Sequence, residues 1–274
     1  MPQLVTTIAL ASCMVAGCLV ASGLITGCHR AVTRDAELDA APRAEPAQTS
    51  EPAPNAEPAP APQAARDDRA RPWYEAEIEA FRSADQADPP PPGRVLFIGS
   101  SSVRMWTSLA HDMAPAPVLN RGFGGSKTAE VLEVFDRIVL PYEPSVIVYY
   151  CGDNDLGIDN HDWESAANGF IAFDRLARSI WPKVRVFNLP IKPSPARWGN
   201  WESMRKANDM VREYCEATPG ATYLDTVTPM LGPDGTPDPS LFLQDGLHLN
   251  AAGYALWTRV VRGPVVEAWR QAGE

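Results

Sequence analysis

The chain has 274 residues, is 45% hydrophobic and 21% charged, and carries a formal net charge of −10 at neutral pH. This acidic balance, with no basic cluster, argues against nucleic acid or an anionic membrane surface as the main partner. Once its N-terminal segments are set aside, it is long enough for one domain with a substantial core.

Residues 1–28 contain no Asp, Glu, Lys or Arg, and residues 4–25 are largely apolar and rich in small side chains. A span of that length is enough to cross a bilayer. It ends in Leu24-Ile-Thr-Gly-Cys28, which resembles the lipobox of bacterial lipoproteins, with Val15-Ala-Gly-Cys18 as a second match. Cys28 is preferred over Cys18 because a polar tether follows it directly. An uncleaved membrane anchor is the other reading, and the segment lacks the basic stretch of an ordinary signal peptide. Both readings tie the rest of the chain to a membrane outside the cytoplasm, and the preferred lipobox reading makes it lipid-anchored in the cell envelope, on the periplasmic side of a bacterial membrane. Residues 29–71 alternate Ala and Pro with Glu and hold almost no large apolar residue. Such a segment buries too little surface to offset the entropy of ordering, and it reads as a linker.

Residues 72–274 form the domain, in which strand-like and helix-like stretches alternate. An opening helix is expected over 73–81, with Trp73, Ile78 and Phe81 on its apolar face. Strands are expected at 95–98, 118–120, 145–150, 184–189 and 222–224, as short apolar runs of the kind buried in parallel sheets. Helices are expected near 103–110 and over 128–140, 163–180 and 201–216. A last one spans 251–269 and is interrupted near Gly263-Pro264. Five strands separated by helices predict an α/β fold with a parallel, doubly wound sheet. Cys151 and Cys215 are the only cysteines of this domain, and whether they pair is left open.

Four segments follow predicted strands or precede the last helix, so all should gather at the carboxyl edge of the sheet, where such folds bind ligands. Gly99-Ser-Ser-Ser102 is either a set of cap and turn residues or a nucleophile near backbone N–H groups. Asn120-Arg-Gly-Phe-Gly-Gly-Ser126 reads as a tight turn or as a loop letting backbone approach a ligand. Cys151-Gly-Asp-Asn-Asp155 offers an asparagine donor, an Asx turn or acidic ligands for a cation, though no matching ligand set stands elsewhere. Asp245-Gly-Leu-His248 can bond carboxylate to Nδ1 and leave Nε2 as a base. The other histidines of the chain, His29, His111 and His161, lack a comparable Asp partner.

In this order and spacing the four segments resemble the signature blocks of the SGNH hydrolases, the GDSL-like esterase and lipase superfamily. The resemblance covers about residues 95–254 and implies a flavodoxin-like three-layer α/β/α sandwich around a five-stranded parallel sheet. It also implies a serine esterase acting on carboxylic esters, without cofactor or metal. Ser101 matches the nucleophile and, through its N–H, one oxyanion donor. Gly125 and Asn154 match the other two donors, and Asp245 and His248 match the remaining pair of the triad. Two departures stand out. Ser100 replaces the usual Asp of the first block, so choosing Ser101 among three serines rests on alignment. Val103 occupies the second Gly of a Gly-x-Ser-x-Gly elbow, which separates the chain from ordinary α/β-hydrolases.

Candidate substrates are short-chain or acetyl esters of glycans, and lysophospholipids. No long apolar lid is visible, which leans towards small or water-soluble esters. Lys192, Arg197 and Trp198 follow the fourth strand and read either as contacts to a sugar or head group or as a proline-braced surface connection. A non-catalytic envelope lipoprotein that keeps the fold for binding is the alternative of another class.

Overall fold

The computed structural model describes residues 71–157 and 162–273. The expected processing segment at 1–28 with Cys18 and Cys28, the linker up to residue 70, and His161 lie outside the described residues. Five strands, β1 (Val95–Gly99), β2 (Val118–Gly122), β3 (Val146–Tyr150), β4 (Arg185–Asn188) and β5 (Ala221–Tyr223), form one sheet in the order β2-β1-β3-β4-β5. Every pairing is parallel, with Val95 opposite Val118 on one side of β1 and Val146 on the other. This is the flavodoxin-like order expected from the resemblance, with the two central strands buried along their full length.

Burial on both sides follows from the alternation of side chains along a strand. Leu96, Ile98, Ile147, Tyr149 and Val186 face one core, and Val95, Phe97, Val148, Tyr150 and Phe187 face the other. The first core is closed by α1 (Glu75–Ala87), α4 (Thr128–Glu133), α5 (Phe135–Ile138), α7 (Trp163–Ile180) and α8 (Trp201–Ala217). The second is closed by the short α2 (Ser101–Arg104) and α3 (Leu109–Asp112) and by the long α9 (Ala251–Ala272). One more short helix, α6 (Asp153–Gly157), follows β3. Among the described residues no helix is long and apolar enough to cross a membrane.

Several expected elements differ in detail. The opening helix begins only at Glu75, so Trp73 lies before it, 58% exposed, while Tyr74 and Ile78 are buried. The segment expected as one helix over 128–140 breaks at Val134 into α4 and α5, a break that neither Gly nor Pro announces. By contrast, α9 runs uninterrupted through Pro264. Gly263 and Pro264 are exposed while Val261, Val265 and Val266 are buried, so packing holds both halves of the helix and water can hydrate the carbonyl the proline leaves unpaired. Cys151 and Cys215 are both buried free thiols.

Candidate active site

Strand β1 delivers its serines through a close backbone contact. At Gly99, with φ of +146°, an added Cβ would stand 1.8 Å from the Tyr150 carbonyl oxygen, so only glycine fits between the ends of β1 and β3. The Ser100 N–H donates to that same carbonyl at 3.1 Å, and Ser101 then opens α2. Ser100 and Ser102 are buried, whereas Ser101 lines a cleft of about 380 Å³. Burial thus singles out the one serine that sequence comparison alone selected.

The histidine comes from the loop before α9. His248 Nε2 lies 3.0 Å from the Ser101 Oγ, and its Nδ1 lies 2.7 Å from Asp245 Oδ2. The other Asp245 oxygen accepts the N–H groups of Leu247 and His248, both at 2.9 Å, which fixes the turn that presents the imidazole. The loop is pinned at its base by Leu243 N–H to His248 O at 2.8 Å, and laterally by Ala196 N–H to Gly246 O at 3.0 Å. The hydrogen bond from His248, reinforced by the Leu247 N–H, holds the Asp245 carboxyl down at about 2.

Gly125 adopts φ of +72° and lines the same cleft. Its N–H and that of Ser101 donate to no acceptor among the described residues. Asn154, also on the cleft, donates through Nδ2 to the Ser126 carbonyl at 3.0 Å and accepts Arg197 Nη2 on its Oδ1 at 3.0 Å. These two bonds orient the amide and leave one of its two N–H hydrogens unengaged. Among the described residues, Ser101, Gly125 and Asn154 thus bring three N–H groups without an acceptor to the residues that line one cleft.

The acidic residues beside Asn154 are taken up elsewhere. Asp155 accepts the Thr128 hydroxyl at 2.7 Å and the Thr128 N–H, and its burial raises its carboxyl above the usual range. Asp153 forms ion pairs with Lys192 and Arg197 and accepts the Tyr150 hydroxyl at 2.9 Å. Burial alone would raise Asp153, but the two cations outweigh it and bring it down to about 2. The expectation for Lys192 is therefore corrected: at 1% exposure it is neither a surface charge nor a substrate contact, but the buried partner of Asp153. Arg197 does reach the cleft, though its guanidinium is held by Asp153 and Asn154. Trp198 stacks on Trp201, with ring centroids 5.6 Å apart, and does not line the cleft.

The match that decides the family is to the GDSL-like lipase/acylhydrolase model, over residues 96–256. The chain belongs to this family. A relative from Rattus norvegicus, platelet-activating factor acetylhydrolase IB subunit alpha1, is 31% identical over 183 residues, covering 62% of this chain and 73% of that one. The Homo sapiens counterpart is equally similar at 31%, with 62% and 74% covered. Among solved structures, a GDSL-like lipase from Bacteroides thetaiotaomicron superposes with a TM-score of 0.60 at 19% identity, over 70% of this chain and 98% of that one.

As a GDSL-like acylhydrolase the protein is an ester hydrolase. Part of its cleft comes from outside the matched region. Glu77 of α1 lines it, accepting the Gly124 N–H at 3.2 Å and Arg104 Nη1 at 3.3 Å. Sequence reasoning missed Glu77 and Arg104, since neither stands in a signature block. It also missed the buried Asp153–Lys192 pair, for which a lone lysine in the mostly apolar run Leu189-Pro-Ile-Lys192 was the available signal.

Proposed function

We propose that the protein hydrolyses short-chain carboxylic esters, acetyl esters foremost, with Ser101 as nucleophile, His248 as base and Asp245 as its orienting carboxylate. Ser101 Oγ attacks the ester carbonyl while its proton passes to His248 Nε2. The Ser101 and Gly125 N–H groups and Asn154 Nδ2 stabilise the tetrahedral oxyanion. His248 then protonates the leaving alcohol, and water, activated by the same imidazole, releases the acid and regenerates Ser101.

The observation that carries this reading is the unbroken relay from Asp245 Oδ2 through the imidazole to Ser101 Oγ, at 2.7 and 3.0 Å. The short acyl chain is supported by the cleft lining, where among the described residues Leu247 is the sole aliphatic side chain beside Glu77, Arg104, Asp153, Asn154 and Arg197. A long acyl chain would find few aliphatic side chains to pack against there. The 31% identical relatives are themselves named acetylhydrolases, which favours the same acyl group.

Turnover of ethyl acetate is the direct test. Ser101→Ala should lower kcat on the order of 10⁵-fold with an unchanged melting temperature, and a fluorophosphonate probe should label the parent protein but not the variant. Full activity in the variant would eliminate the assignment. Failure of the parent to be labelled or to hydrolyse any ester would favour a binding protein that retains the fold.

A further inference from the structure

We propose that the flank of the cleft formed by α1 and the loop after β2 is an alcohol subsite, shaped for the sugar ring of a neutral O-acylated glycoside. Trp73 is its platform, and Glu77 with Arg104 its hydroxyl partners. The inference rests on the hydrolase reading above and names the substrate class of that same site.

Strand order separates the two flanks of Ser101. β1 lies between β2 and β3, so the loop after β2 borders one side and the segment after β3 the other. On the β3 side the charged groups are paired with one another: Asp153 binds Lys192 and Arg197, and Arg197 also holds the Asn154 side-chain oxygen. On the β2 side they remain available. Arg104 spends one hydrogen bond, at 3.3 Å, on Glu77, and their side chains are 47% and 33% exposed. A guanidinium carries five N–H donors and an ionised carboxylate about four acceptor positions, so the pair can both give and take hydrogen bonds from hydroxyls.

The charge balance decides which alcohol fits. A lone arginine would favour a phosphate through a bidentate contact. Here the Glu77 carboxylate neutralises Arg104 and would repel a phosphate brought against the pair, whereas neutral hydroxyls match both members. Glu77 is also anchored to the Gly124 N–H, which keeps it at the rim.

Trp73 supplies the second half of the subsite. The residue is 58% exposed, yet its ring is held in place. The indole N–H donates to Glu130 Oε1 at 3.0 Å, and the ring meets buried Tyr74 edge to face at 5.4 Å. Its outer edge reaches within 3.1 Å of where a Cβ on Gly125 would stand, next to the proposed oxyanion donor. A fixed, exposed indole bordering hydroxyl-binding side chains offers an apolar face to the C–H side of a pyranose while the hydroxyls turn to Glu77 and Arg104.

The test compares kcat/KM for an O-acetylated xylo-oligosaccharide with that for ethyl acetate, whose alcohol has no ring or hydroxyl to bind. Trp73→Ala should lower this ratio about tenfold, Arg104→Ala should lower it several-fold, and Trp73→Phe should restore most of the loss. A ratio changed less than twofold in both alanine variants would overturn the subsite. So would a parent enzyme that prefers a 2-acetyl glycerophospholipid to the acetylated sugar. Loss of ethyl acetate hydrolysis in Ser101→Ala together with an unchanged ratio in Trp73→Ala would sink the subsite and leave the hydrolase standing. Persistence of that hydrolysis in Ser101→Ala would sink both.

Discussion

Two aspartates near the Ser101 hydroxyl are both held down at about 2, for different reasons and with different consequences. Asp245 sits on a loop with its side chain 45% exposed, and its partner is an imidazole whose far nitrogen touches the Ser101 hydroxyl. Asp153 has a side chain 4% exposed, and its partners are an ammonium and a guanidinium that carry no proton to the cleft. Equal acidity therefore does not mean equal work. What separates them is the partner: an imidazole can take up and return a proton, whereas Lys192 and Arg197 hold the Asp153 carboxylate in place.

Replacing Asp245 should break the comparison most sharply. Asp245→Asn keeps a side-chain oxygen for the Leu247 and His248 N–H groups, so the turn is retained, but removes the negative charge facing Nδ1. The amide can present an N–H to the ring, which favours the wrong tautomer for a base at Nε2. A fall in kcat of about 10⁴-fold is expected, with little change in thermal stability because the group is largely solvated and screened. A kcat within tenfold of the parent would show that the carboxylate does not orient the imidazole.

Asp153→Asn should do the reverse, acting on stability first. It leaves Lys192 buried with its charge unmatched, a change that costs about 3–5 kcal/mol in comparable sites. The double variant Asp153→Asn, Lys192→Met should recover part of that loss, because the fully buried ammonium is gone and only the less buried Arg197 is left without its carboxylate. The pH dependence has a definite sign. The carboxyl is depressed in the folded protein relative to about 4 in the unfolded chain, so its stabilisation is present above pH 4 and fades as pH falls towards 2. Urea midpoints at pH 7 and pH 3 should drop more in the parent than in the double variant. An equal drop would show that the pair is not the source.

The two aspartates also mark how far the sequence could be read. Asp245 and His248 are neighbours in the chain, and their bond follows from spacing on one turn. Likewise Ser101, Gly125, Asn154 and His248 each follow a strand or precede a helix, and they lie around one cleft because a parallel sheet collects those ends on one edge. Asp153 and Lys192 are separated by 39 positions and meet only because β3 and β4 are adjacent in register. The apolar run around Lys192 hints at its burial, but no local pattern names Asp153 as its partner, so Lys192 read as a surface charge or substrate contact. Trp73 and Glu77 were illegible for the same reason: their place depends on α1 docking against the loop after β2, anchored by Glu75 to Arg137 at 2.7 Å and Tyr74 against Phe123. Pro264 was misread in the opposite sense, since local propensity suggested a break that the packing of α9 overrides.

The smallest predicted effect belongs to Arg197, which joins the two regions. It donates to the Asp153 backbone oxygen at 2.8 Å and to Asn154 Oδ1 at 3.0 Å. A cation at the amide oxygen polarises the amide and strengthens its N–H as a donor, so Arg197 is a positioning residue for the proposed oxyanion site. Arg197→Gln should lower kcat about tenfold, or ~1.4 kcal/mol in the barrier, with KM nearly unchanged. Arg197→Lys should lower it less, because a single ammonium can reach Asp153 or Asn154 but cannot fork across both. The decisive measurement is the double variant with Asn154→Ala. If Arg197 acts through the asparagine, its removal should cost nothing further once that amide is gone. Additive losses, or a raised KM in Arg197→Gln, would instead make Arg197 a direct contact to the substrate.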